Sequence, residues 1–159
     1  MPNQDFSSAR RRITGRTFKA LLAIALPLVP LTTVHGQAED PVLARQLIMQ
    51  ALEDDAEVLG SIAARVTPPT KMAEHARNIA KHAKESYESF KPNAPGGSAK
   101  PEIWTNWADY SKRMESFVVN SEKMAQVAET GDVNAVTELM VDAMPCKSCH
   151  DVYRAKKTT

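Results

Sequence analysis

Apolar residues recur three and four positions apart along most of the chain after residue 40, which is the spacing of one face of an α-helix. The pattern stops at residues 67–70 (TPPT), at residues 91–101 (KPNAPGGSAKP) and at Gly131, because Pro and Gly interrupt helices. No stretch alternates with the period of two that a half-buried strand requires. We therefore predict an all-α fold, an antiparallel four-helix bundle in up-down-up-down order. The predicted helices span residues 41–66, 70–90, 102–129 and 133–156.

Within these helices the apolar spacing also predicts which residues face inward. Small residues on the inner face of the second helix predict a close approach to its neighbour, whereas His75 and His82 lie off that face and are expected to contact solvent. Pro145 is expected to kink the fourth helix or divide it in two. The predicted inner face of the first helix consists of Val42, Met49, Leu52, Ala56, Leu59, Ala63 and Val66.

The first 36 residues have the composition of a secretory signal peptide. Five basic residues and one acid precede an apolar stretch over residues 20–34, which is shorter than the roughly 20 residues that a bilayer span needs. We predict cleavage after Gly36, with an uncleaved anchor as the alternative, and a four-helix domain over residues 37–159. That domain carries 15 basic and 18 acidic residues, so nothing in its charge indicates a nucleic-acid partner.

The two cysteines of the chain both lie in Cys146-Lys147-Ser148-Cys149-His150. On a helix, Cys146 and Cys149 point to one side, so each can form a thioether with a vinyl group of one porphyrin, and His150 can bind its iron. A thioredoxin-like dithiol would need a preceding strand, and a closed zinc site would need a fourth ligand. The motif therefore predicts one covalently attached haem c.

A second axial ligand would have to come from another helix. Met49 is the best candidate because it lies on the inner face of the first helix and a thioether is a suitable soft ligand for haem iron. The spacing alone favours the alternative, in which Met49 is only a core residue. The rival methionines are Met72, Met114, Met124, Met140 and Met144.

The whole domain resembles the cytochrome c′ superfamily, the class II c-type cytochromes. The resemblance rests on Arg45-Gln46 before an apolar segment, on residues 100–104 (KPEIW) and on residues 146–154 (CKSCHDVYR) at the end of the chain. In that family, an apolar residue at one position of the first helix leaves the iron five-coordinate and open to nitric oxide or carbon monoxide, whereas a methionine there binds it. The resemblance places Met49 at or near this position, and residues 58–63 (VLGSIA) are similar to low-spin members.

The resemblance therefore implies a periplasmic electron carrier with His150 and Met49 as axial ligands, and no enzymatic activity. Its alternative is a five-coordinate protein that binds nitric oxide or carbon monoxide and has no distal protein ligand. The implied partners are redox proteins, with no nucleic acid and no membrane span after cleavage of the leader. A homodimer through the first two helices is also compatible with the family. The residues expected to approach the haem edge are Arg45, Gln46, Ser98 and Arg154.

Overall fold

A computed structural model describes residues 40–156 of the chain. The predicted leader, residues 1–36, lies outside the described residues. The helices are α1 (Pro41–Ala63), α2 (Met72–Phe90), α3 (Glu102–Thr105), α4 (Trp107–Ala128), α5 (Val133–Ala143) and α6 (Cys146–Tyr153), with a short 3-10 helix at Pro69–Lys71.

The four long helices form the predicted bundle. Helix α1 packs against α2, α2 against α4, α4 against α5, and α5 closes the bundle against α1. In residues 40–156 the only strand-like pairings are isolated bridges from Ala99 to Gly96 and to Arg154. The predicted all-α four-helix bundle is therefore confirmed. No helix in this part of the chain is long and apolar enough to cross a membrane.

Side-chain caps begin two of the helices. Asp40 accepts a hydrogen bond from the Val42 amide at 2.9 Å, and Pro41 occupies the first turn of α1. Asp132 accepts bonds from the amides of Asn134 and Ala135, each at 3.0 Å. These caps satisfy amides that have no partner within their own helix.

Two of the predicted helices are divided in the structure. The third is interrupted at Asn106, whose backbone (φ −122°, ψ 48°) separates the single turn of α3 from α4. The fourth is divided at Met144 and Pro145, as expected from a proline that cannot donate a backbone hydrogen bond inside a helix. Helix α6 is therefore a separate helix and not a continuation of α5.

The bundle contains two separate groups of buried side chains. We call the first the aliphatic core; its buried members are Leu59, Ile62, Met72, Ala76, Ile79, Met124, Ala125, Ala128, Val133, Val136 and Ala143. We call the second the aromatic cluster; its buried members are Phe90, Ile103, Tyr110, Met114 and Tyr153.

The prediction that Val66 faces inward is wrong, since 79% of its surface is exposed. Helix α1 ends at Ala63, and Arg65 has a positive φ of 62°, so the helical register does not extend to Val66.

The prediction that His75 and His82 contact solvent is also wrong. Both are half-buried beside Asp55, with His75 Nδ1 at 2.7 Å from Asp55 Oδ1 and His82 Nε2 at 4.0 Å from Asp55 Oδ2. The buried carboxylate of Asp55 on α1 also accepts a hydrogen bond from Asn78 at 3.2 Å. A polar group buried between two helices was hidden from an argument based on apolar spacing alone.

Leu59 tests the aliphatic core. Replacing this residue, which is 1% exposed, with alanine should lower the free energy of unfolding by about 2–5 kcal/mol, because the side chain is lost and a cavity remains. Val66→Ala is the control and should change it by less than about 0.5 kcal/mol. Urea unfolding followed by circular dichroism measures both, and equal effects would contradict the assignment of the core.

Candidate haem-binding site

Helix α6 carries both cysteines and packs on the aromatic cluster. It begins at Cys146, directly after Pro145. Cys149 is half-buried against the aromatic cluster, Cys146 is exposed, and both thiols are free. Burial raises the pKa of the Cys149 thiol. This thiol therefore remains protonated at neutral pH, unlike the low-pKa thiol of a redox enzyme.

His150 follows Cys149 and is half-buried. Burial lowers the pKa of its imidazole, and the positive charge of Arg154 acts in the same direction. The negative charges of Glu53 and Asp151 oppose this shift. A neutral imidazole is the form that binds a metal, so His150 is suited to be an axial ligand.

Met49 contacts a different group of buried side chains from most of the other candidate methionines. Met49 is half-buried and packs against the aromatic cluster, as does Cys149. Met114 is a buried member of the same cluster. The other four candidates, Met72, Met124, Met140 and Met144, belong to the aliphatic core or pack against it. Met49 and Met114 are therefore the thioethers that share a cluster with Cys149.

The side chain of Arg45 is buried, with 4% of its surface exposed. Its Nη2 donates to the Ala94 carbonyl at 2.7 Å, and its guanidinium lies 5.0 Å from the centre of the Phe90 ring and 5.7 Å from that of Trp104. Its Nη1 is buried and has no hydrogen-bond partner among the described residues. Leaving a charged donor unpaired in the interior is costly, so this guanidinium group is suited to bind an anionic group. A haem propionate fits this requirement.

The loop between α2 and α3 contacts both α1 and the C-terminal segment of the chain. A Cβ at Gly96 would lie 2.7 Å from a methyl carbon of Val42, and one at Gly97 would lie 3.3 Å from the side-chain nitrogen Nε2 of Gln46. Both glycines have positive φ angles, so the close approach depends on their lack of a side chain.

Ser98 lies in this loop, and Arg154 follows α6; the two chain segments are in contact. The Ser98 carbonyl accepts a hydrogen bond from the Ala155 amide at 2.8 Å, and Ala99 forms a bridge with Arg154. The side chains of Gln46, Ser98 and Arg154 are exposed. Of the four residues predicted at the haem edge, the structure therefore buries only Arg45.

Tyr153 and Asp109 are site residues that the sequence analysis did not identify. Tyr153 is buried, and its hydroxyl donates to Asp109 Oδ2 at 2.6 Å. Arg113 Nε donates to the same oxygen at 2.6 Å. The sequence signal was the position of Tyr153, which is one turn of helix after Cys149, whereas its partners on α4 had no signal because they come from a distant part of the chain.

A model of the family described as cytochrome c′ matches residues 40–154. The chain belongs to the cytochrome c′ family. Cytochrome c′ of Alcaligenes xylosoxydans xylosoxydans is 36% identical over 45% of this chain and 57% of its own length. Cytochrome c′ of Allochromatium vinosum is 43% identical over 36% of this chain and 38% of its own length. Both alignments thus span less than two thirds of the relative.

A solved structure extends the similarity over the whole fold. The nitric oxide complex of a mutant cytochrome c′ from Alcaligenes xylosoxidans is 26% identical and has a TM-score of 0.70; the match covers 77% of this chain and 98% of that one. Cytochromes c′ hold a covalently attached haem c, and this chain has two cysteines in the required pattern. The predicted cofactor, haem c, is therefore confirmed.

The Tyr153–Asp109–Arg113 contacts predict a pH-dependent contribution to stability. The hydrogen bonds from Arg113 and Tyr153 hold the pKa of Asp109 below its ordinary value of 3.8. A depressed carboxyl pKa stabilises the fold above the unfolded pKa, and this contribution is lost as the pH falls through the folded value. Asp109→Asn should therefore lower stability at neutral pH, and its difference from the wild type should narrow below pH 3.8.

Urea unfolding of both proteins across this pH range measures the difference, with the exposed Asp142→Asn as the control. If the difference in the free energy of unfolding between the wild type and Asp109→Asn stays constant on acidification, the charge of Asp109 does not contribute to stability.

Proposed function

We propose that this protein is an exported c-type cytochrome whose iron binds a small gas such as nitric oxide or carbon monoxide. In this proposal Cys146 and Cys149 hold the haem by thioether bonds, and His150 is its axial ligand. The observation that carries the proposal is the packing of α6 on the aromatic cluster, in a chain of the cytochrome c′ family. The gas-binding role draws on a similar protein that was solved as a nitric oxide complex.

The sequence alone favours electron transfer as the function and gas binding as the alternative, whereas we propose gas binding as the function. The relatives support a c-type cytochrome, but they favour the gas-binding alternative over the low-spin branch with Met49 and His150 as ligands. Electron transfer with Met49 remains our second candidate because of one observation: Met49 packs on the same cluster as Cys149. The two candidates differ in whether the thioether of Met49 occupies the position that a gas would take.

The residues of the chain would bind and tune the cofactor. Haem iron supplies a coordination site that can take a gas ligand or exchange an electron. Arg45 would pair with a propionate through its free Nη1, and the neutral imidazole of His150 would donate to the iron. The aromatic cluster would exclude water from the side on which Cys149 lies.

Location and partners follow from the same proposal. We propose export to the periplasm, where thioether attachment of haem would take place, and a binding or electron-carrying role without catalysis. Redox proteins would be the partners if Met49 binds the iron. A homodimer through α1 and α2 would fit either candidate, whereas the acidic balance of residues 37–159 gives no reason to expect nucleic acid.

Attachment of the haem can be tested on the thiols. In cells with a c-type maturation system, the double variant Cys146→Ser/Cys149→Ser should retain no haem after denaturing electrophoresis and haem staining, because neither thioether can form. Ser148→Ala lies between the two cysteines and should stain like the wild type. Haem staining of the double variant would contradict attachment at this motif.

Carbon monoxide distinguishes the two candidate functions. If the iron is five-coordinate, the reduced wild-type protein, Met49→Leu and Met114→Leu should all change their visible spectra promptly on addition of carbon monoxide, from a high-spin resting state. If Met49 is a ligand, the wild type and Met114→Leu should be low-spin and slow to bind, whereas Met49→Leu should bind promptly. The second result would overturn the gas-binding proposal in favour of electron transfer.

A further inference from the structure

All three tyrosines of the chain and one of its two tryptophans lie in one continuous row of rings. The Tyr153 and Tyr110 ring centres are 5.1 Å apart, those of Tyr110 and Trp107 are 5.7 Å apart, and those of Trp107 and Tyr87 are 6.1 Å apart. These distances are typical of rings in direct contact. We call these four residues the aromatic row.

The two ends of the row have different surroundings. Tyr153 is buried, belongs to the helix that carries Cys149 and His150, and packs in the same cluster as Cys149. Tyr87 on α2 is half-buried, and its ring lies 5.0 Å from the ammonium group of Lys91, whose side chain is exposed. The row therefore runs from the proposed haem site to the protein surface.

Each end of the row also has a carboxylate that can accept a proton. Tyr153 donates its hydroxyl hydrogen to Asp109 at 2.6 Å, and Tyr87 donates to Glu115 at 2.8 Å. A phenol that loses an electron becomes a strong acid, so an oxidised tyrosine is a stable end point only where a base can take its proton, whereas a ring inside the row needs only to pass the electron on. Phenol and indole rings are also among the side chains that give up one electron most easily, which a phenylalanine ring does not do.

We propose that the aromatic row carries oxidising equivalents from the haem to Tyr87 when the protein meets hydrogen peroxide. Each electron moves inward from Tyr87 through Trp107, Tyr110 and Tyr153 to the oxidised cofactor. The hydroxyl proton of Tyr87 passes to Glu115, which leaves a neutral tyrosyl radical at the surface. The row thereby protects the haem from damage, a role separate from ligand binding.

The electrons and atoms of this reaction balance with a small enediol reductant such as ascorbate. Hydrogen peroxide takes up two electrons and two protons and becomes two water molecules. Two ascorbate anions each return one electron and one proton to the tyrosyl radical and become ascorbyl radical anions. After each electron Glu115 releases the proton that it received from Tyr87 to solvent, and the two protons released in this way equal the two that hydrogen peroxide consumes. Tyr87 and Glu115 are thereby restored to their starting protonation.

The test uses the haem-loaded protein, hydrogen peroxide and a nitrone spin trap, with trapped residues located by mass spectrometry. The wild type should carry the adduct on Tyr87. Trp107→Phe interrupts the row while keeping an aromatic ring, so it should lose the Tyr87 adduct and its haem should bleach several-fold faster. Trp104→Phe is the matched control, because Trp104 pairs with Phe90 and lies outside the row. A wild-type yield of the Tyr87 adduct in Trp107→Phe would overturn the proposal.

Two further variants keep the test decisive if Trp107→Phe folds poorly. Tyr87→Phe keeps the ring but removes the oxidisable phenol, so its haem should also bleach faster than that of the wild type; an unchanged rate would overturn the proposal. Glu115→Gln should lower the yield of the Tyr87 adduct, whereas the exposed Glu122→Gln on the same helix should not. Equal yields in these two variants would overturn the role of Glu115.

The inference rests on the haem and not on the sixth ligand of its iron. Carbon monoxide spectra of the same samples report the proposed gas-binding function, while the position of the radical reports the row. A protein that fails to bind carbon monoxide but still forms the Tyr87 adduct would leave this inference standing.

Discussion

The anchoring of Tyr153 positions the helix that carries Cys146, Cys149 and His150. Helix α6 has eight residues, which is too short to be stable by itself, so its place depends on tertiary contacts. The Tyr153 ring meets Tyr110 edge-on, its hydroxyl donates to Asp109, and its carbonyl accepts from the Lys100 amide at 3.0 Å. The thiol of Cys149 and the imidazole of His150 lie where they do because this last residue of the helix is held.

The buried side chains form two groups, and only the aromatic cluster contacts the residues proposed to hold the haem. The aliphatic core joins the long helices, and its buried members are all apolar. The buried members of the aromatic cluster come from α2, α3, α4 and α6, and beside it Arg45 keeps a buried donor without a partner. Such an unpaired group is unfavourable in an isolated protein, and it becomes favourable when an anion such as a propionate binds. In the function that we propose, a propionate bound to Arg45 would therefore add to the stability of the fold.

Local patterns predicted the helices well and their inner faces less well. The division at Pro145 follows from the proline itself, and the structure has it. The division at Asn106 carried no such signal. The half-buried positions of His75 and His82 also escaped prediction, because Asp55, their partner, lies on another helix.

The chemistry that fits within one helical turn could be predicted from the amino-acid sequence. Two cysteines three residues apart, followed directly by a histidine, predict covalent attachment of haem, and the family comparison agrees. The contacts between helices could not be predicted in this way: they show that Arg45 is buried with a free donor, that Met49 shares a cluster with Cys149, and that the tyrosines touch. The reason is that these contacts join residues tens of positions apart, and periodicity within one helix carries no information about its partner.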